Sequence, residues 1–185
     1  MNVNYLISKK TLITASVLMA LGYILFMAVS YGDLPDKIST SFGSSGPRNL
    51  TETSFFSWFG FPLVGFGSIL YMYFMIWAFS KVSGKALNFP YKDKILKLEQ
   101  ENQEMFFRQV IDFSWRVIHL TSVYLLTLFF YISYQVYQFN TNGSDTISVF
   151  IPLLVLTVPY GYLLVRDYLS IKSSFKEKLS EFEVA

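Results

Sequence analysis

The chain has 185 residues, of which 52% are hydrophobic and 19% aromatic, with only 15% charged and a net charge of +2. Soluble domains carry about 25% charged residues; here the charges gather between long apolar runs, which argues against a water-soluble domain and for a chain that crosses a bilayer. Cysteine is absent and histidine occurs once, so disulfides and cysteine nucleophiles are excluded, and zinc would lack the three or four protein ligands it requires.

A membrane-spanning helix needs about 20 mostly apolar residues. Four stretches meet that length, at about 11–29, 55–79, 113–137 and 147–168. The first follows Lys9 and Lys10, as a secretory signal would. Its apolar core is too long for one, and no small-residue cleavage pattern precedes Tyr31, so a retained span is expected. The outer connection 31–49 is rich in Gly, Ser and Pro. Pro35 ends any helix continuing from span one, Gly43 to Pro47 reads as a turn, and Asn49 with Glu52 reads as a helix cap leading into span two. Ile38 and Phe42, four residues apart, suit one turn of an amphipathic segment folded onto the membrane surface. Such a loop either caps the bundle or recognises a ligand through Asp33, Asp36, Arg48 and Asn49.

Span two contains Gly60, Pro62, Gly65 and Gly67, which mark close approach of neighbouring helices. The connection 81–111 holds Lys81, Lys85, Lys92, Lys94, Lys97 and Arg108. Its second half, from Asp93 to Ile111, is rich in helix formers and is expected to be a helix at the membrane surface or one running into span three. Asn140 to Ser144 is a short turn, which makes spans three and four antiparallel. Pro159 is expected to kink span four, and the charged tail beyond Ser173 to be frayed or helical. With Lys172, Lys176 and Lys178 after the last span, every basic-rich segment lies on one side of a four-span chain. Basic residues stay cytoplasmic, so both termini are expected inside. The fold class is therefore all-α: a single polytopic domain of four membrane helices, with a short outer loop and a cytoplasmic interfacial helix. The basic loops are accounted for by this topology and call for no nucleic-acid partner.

Charges inside spans are costly and mark sites by default. Asp112, Arg116 and His119 recur at helical spacing and so share one face. Asp112 and Arg116 can pair with each other near the cytoplasmic boundary, and Arg166 and Asp167 in span four fall at the same level, where cross-helix pairing is open to them. His119, deeper in, can carry a proton or satisfy a neighbouring helix. No nucleotide-binding, dinucleotide or nucleophile-elbow spacing occurs, so no cofactor and no enzymatic activity are expected. Asn49-Leu-Thr51 and Asn142-Gly-Ser144 match the N-glycosylation pattern, a short pattern that often matches by chance, and are read as coincidence.

Leu34-Pro-Asp-Lys-Ile38 followed by Phe42, Gly46 and Asn49 resembles the motif of an uncharacterised bacterial membrane domain, which also forms the amino-terminal part of SdpI-type toxin-immunity proteins. Asn88-Phe-Pro-Tyr-Lys92, ahead of a charged helix and a third span, is similar to a second segment of that domain. The resemblance implies a bacterial inner-membrane protein that acts by binding, as an immunity-like, sensor-like or accessory protein. Its partners would be lipid, another membrane protein, a peptide toxin or a second copy of itself. The chain departs from the motif at Ser39 and Ser41, where the family has proline and histidine, so any role of that histidine is lost. The contrasting expectation is a small transporter or intramembrane enzyme built on Asp112, Arg116 and His119.

Overall fold

A computed structural model of the chain describes residues 5–43, 46–81, 88–143 and 150–184. In chain order the elements are α1 (Lys9–Tyr31), β1 (Lys37–Gly43), β2 (Gly46–Glu52), α2 (Phe55–Phe79), α3 (Lys92–Ile95), α4 (Gln100–Asn142) and α5 (Phe150–Val184). Helix dominates, as expected. Three helices, α1, α2 and α4, are long and apolar enough to cross a membrane. The expected fourth stretch falls on α5 and on residues 147–149, which lie outside the described set.

Helix α4 is the centre of the structure, packing on α1, α2 and α5. At about 1.5 Å per residue, its 43 residues run about 64 Å, twice the roughly 30 Å hydrocarbon thickness of a bilayer. One half therefore lies outside any membrane that the other half spans. The two halves serve different cores. Tyr23, Met27, Ile38, Trp58, Ile69 and Leu126 form one, among α1, β1, α2 and α4. Phe106, Val110, Ile171, Phe175 and Leu179 form the other, between the amino-terminal part of α4 and the carboxy-terminal part of α5, closed by Phe89 and Ile95. The outer faces of α1 and α2 expose Leu18, Leu25, Val29, Val64 and Leu70, a distribution that needs an apolar solvent.

Several expectations are corrected here. Residues 37–43 and 46–52 form an antiparallel hairpin pair, with Lys37 opposite Glu52 and Ser39 opposite Leu50, where an amphipathic helical turn is expected from the sequence. Ile38, Thr40 and Phe42 supply β-branched and aromatic residues on an alternating run, followed in sequence by Gly43-Ser-Ser-Gly46; that pattern favours strand over helix. Asn49 and Glu52 consequently belong to β2. Ser54 caps α2, accepting from the Ser57 N–H while the Ser57 hydroxyl accepts from the Ser54 N–H. Of the two readings of Asp93 to Ile111, the structure has the helix that runs into span three, but starting later: α3 is one turn, and α4 begins at Gln100 and continues through the third apolar stretch without interruption. Ile95 and Phe106 are fully buried against α5, because α5 continues to Val184 and offers a partner that lipid would otherwise replace. The tail is thus helical.

Of the small residues in α2, Gly65 is the close-approach position. A Cβ there would lie 2.6 Å from Phe129 Cδ2, whereas Gly60 and Gly67 face open space. Phe129 itself packs edge-on against Phe61, with centroids 5.0 Å apart. Gly65→Ala is expected to lose about 1–2 kcal/mol, the overpacking strain exceeding the gain in helix propensity. Adding Phe129→Leu should recover most of the loss in detergent unfolding; if the double variant melts no higher than Gly65→Ala, the contact is not the cause.

Candidate functional site

Two polar constellations lie on α4, one along its middle and one at its carboxy-terminal end. The first is a stripe on its buried face. Arg116 is 2% exposed and Asp167 of α5 is 3% exposed, and Arg116 Nε donates to Asp167 Oδ2 at 2.6 Å. The Tyr5 ring covers the guanidinium, its centroid 4.0 Å from Arg116 Cζ, a cation–π contact worth about 2 kcal/mol when desolvated. Burial, reinforced by Asp112, pushes the Tyr5 phenol up to about 12, so it stays protonated over Arg116. Asp167 Oδ1 is buried without a hydrogen-bond partner among the described residues.

The expected Asp112–Arg116 pair does not form. Asp112 pairs with Lys9 at 2.5 Å, both side chains about half exposed, where ion pairs contribute about 0–1 kcal/mol. Arg116 points instead to α5, realising the cross-helix option. An ion buried in low dielectric is held by the partner that is equally desolvated, and Asp112, at the rim, is not.

One turn further along, His119 Nδ1 lies 2.6 Å from the Tyr73 hydroxyl of α2, and Trp115 stacks beside it at 6.3 Å. Ser16 of α1 donates to the Leu12 and His119 carbonyls. Higher still, Tyr23 of α1 and Ser133 of α4 share a 2.7 Å hydrogen bond. The Tyr73–His119, Ser16–His119 and Tyr23–Ser133 contacts each join α4 to another helix, which is how polar residues act inside a bilayer. Leu126, 3% exposed, interrupts the stripe between His119 and Ser133.

The second constellation holds the hairpin on the end of the bundle. Asn140 of α4 pairs with Ser39 as a strand would: Ser39 N–H donates to Asn140 Oδ1 at 2.8 Å, and Asn140 Nδ2 donates to the Ser39 carbonyl at 3.1 Å. Ile38, fully buried, enters the core beneath, and Trp58 Nε1 donates to the Met27 carbonyl at 3.1 Å. Tyr137 donates to Asp33 Oδ2 at 3.3 Å. Asp36 and Asn49 are exposed; Arg48 lies in β2, its side chain outside the described set. Asp33, Asp36 and Asn49 thus all lie in or just before the hairpin, about 20 residues of α4 away from Arg116 and His119. The seven expected site residues form two groups.

Sequence reasoning missed Tyr5, Lys9, Tyr73 and Asn140. An isolated asparagine at a helix end is a general turn signal, and nothing in the chain marks it as a partner for β1. Among the described residues no group of three or more metal-ligating side chains occurs. The fold and the two constellations define a helical membrane protein. No family model matches the chain, and neither a curated protein nor a solved structure is similar to it.

Proposed function

We propose that the chain is a four-span protein of the bacterial inner membrane, with both termini cytoplasmic, that acts by binding at its outer hairpin in the manner of immunity-like or accessory proteins. The observation that carries this is the unequal treatment of the two hairpin edges. Thr53 N–H donates to the Asp36 carbonyl at 2.9 Å, which makes positions 36 and 53 a hydrogen-bonded pair. In an antiparallel ladder such pairs alternate with pairs whose main-chain groups point outward. Ser39 and Leu50 are therefore an outward-pointing pair. On the β1 side those groups are taken by Asn140; on the β2 side the Leu50 N–H and C=O face away, beside a Leu50 side chain 65% exposed. An edge without a partner among the described residues, on a rigidly held hairpin, is a template for an extended peptide, which suits a peptide toxin or a segment of another membrane protein.

The test uses proline. Leu50→Pro removes an outward N–H and is tolerated by the hairpin, whereas Thr51→Pro removes an inward one and is not. With a photo-crosslinking residue at Glu52 in native membranes, we expect a discrete adduct that Leu50→Pro abolishes while the melting temperature stays within about 2 °C of the parent, a change of about 0.5 kcal/mol. An adduct unaffected by Leu50→Pro would overturn edge binding.

A second reading, a small transporter or intramembrane enzyme, draws on Asp167 Oδ1, buried and unpartnered among the described residues. Against it, Arg116 and His119 are engaged by Asp167 and Tyr73, and Leu126 breaks the stripe. A phenotype abolished by His119→Ala with unchanged folding would favour this second reading.

A further inference from the structure

At the level where the apolar stretches of α4 and α5 give way to the second core lies a cavity of about 340 Å³. Phe113 and Tyr168, the residues that bound spans three and four in the sequence, both line it, together with Phe89, Pro90, Val110 and Ile171. Asn88 and Ser114 add an amide and a hydroxyl; the Ser114 hydroxyl is spent on the Val110 carbonyl at 2.8 Å. The site thus presents polar and carbon surface in nearly equal measure, and its volume falls at the small end of ligand pockets. It has room for a chain or small molecule and none for a folded segment.

The wall contributed by the chain before α3 is built at a cost. Tyr91 adopts φ 61° and ψ 22°, the left-handed region, and is the one non-glycine residue there among those described. Such a conformation costs about 1–3 kcal/mol for a bulky residue and gathers at ligand clamps. Here it turns the chain directly after Pro90, so that Phe89 is held at 8% exposure against Phe107 and Phe175, at 5.6 and 6.5 Å between centroids. Neighbouring the lining in sequence are two lysines: Lys92, two residues beyond Pro90, and Lys172, beside Ile171 and exposed.

We propose that this cavity binds a phospholipid with an anionic headgroup, one acyl chain entering between Phe113, Tyr168 and Ile171 and the phosphate lying toward Lys92 and Lys172. Lipid is the occupant because the cavity sits at the boundary of the spans, where lipid is the surrounding solvent, and because the acidic residues next to its lining, Asp112 and Asp167, are paired with Lys9 and Arg116 while Lys92 and Lys172 add positive charge beside it in sequence. Basic residues near a membrane surface each contribute about 1 kcal/mol toward anionic lipid. The assignment rests on α5 being a span.

The experiment is thermal unfolding of the purified full chain in detergent with added dioleoyl-phosphatidylglycerol, dioleoyl-phosphatidylcholine or hexadecane. A ligand at about 100 times its Kd should raise the melting temperature by about 5–10 °C for a chain of this size. That rise is expected with phosphatidylglycerol alone, and is expected to vanish in Ser114→Phe, which fills the cavity, and in Lys92→Gln/Lys172→Gln. It should persist in Lys81→Gln/Lys97→Gln, which removes the same charge elsewhere on the same side. Should Ser114→Phe fold poorly, the two lysine pairs decide alone. An equal rise with phosphatidylcholine or hexadecane, a rise that survives Lys92→Gln/Lys172→Gln, or one that a well-folded Ser114→Phe retains, would overturn the site. An equal loss in Lys81→Gln/Lys97→Gln would reduce the effect to general surface charge and overturn it as well. Failure of the four-span reading would appear separately, as labelling of Lys178→Cys from outside the cell.

Discussion

Arg116→Ala is expected to destabilise the protein in detergent by about 3–5 kcal/mol, whereas Arg116→Met/Asp167→Leu should stay within about 1 kcal/mol of the parent. The asymmetry follows from burial. Both partners are at most 3% exposed, and Asp167 Oδ1 already lacks a partner among the described residues. Removing the guanidinium strands a carboxylate in a medium that cannot solvate it, while removing both charges leaves two apolar side chains of similar size. Asp112→Ala, by contrast, breaks the exposed pair with Lys9 and is expected to cost less than about 1 kcal/mol. Urea or dodecyl sulfate unfolding followed by tryptophan fluorescence reads all three. A double variant as unstable as Arg116→Ala would mean that the pair is not what joins α5 to α4.

Ile38→Asp should be the most damaging single change in the hairpin. Ile38 is fully buried beside Tyr23, Trp58 and Leu126, so truncation to alanine is expected to cost about 2–5 kcal/mol. A carboxylate there adds desolvation without a partner, several kcal/mol more. Asp36→Asn, at an exposed position, should change stability by no more than about 0.5 kcal/mol. Melting temperatures of the three variants suffice. If Ile38→Asp melts with the parent, the hairpin is not docked through this residue, and the rigid edge proposed for binding loses its support.

The membrane character of the chain was legible because apolar runs of about twenty residues match the thickness of a bilayer and exceed what a soluble core of this size can bury. The placement of α1, α2 and the middle of α4 follows from that. The hairpin was not legible, although Ile38, Thr40 and Gly43-Ser-Ser-Gly46 carried its pattern: a four-residue spacing from Ile38 to Phe42 fits a helical turn and an alternating strand equally, and burial of Ile38 under Trp58 decides between them. The pairing of Arg116 was half legible. Sequence spacing put Asp112 and Asp167 both within reach, and only the difference in burial, which depends on where α5 packs, selects Asp167. Tyr5 and Asn140 left no signal, because each acts on a partner more than 100 residues away, at Arg116 and Ser39.

The central claim, a four-span chain with its hairpin outside and its long helical extension inside, is tested most directly by sidedness. The chain contains no cysteine, so single introduced cysteines report without background. In intact cells treated with a membrane-impermeant maleimide, Glu52→Cys and Asn142→Cys are expected to label, and Lys97→Cys and Lys178→Cys to label only after lysis. Labelling of Lys178→Cys in intact cells would place the end of α5 outside and contradict the four-span arrangement.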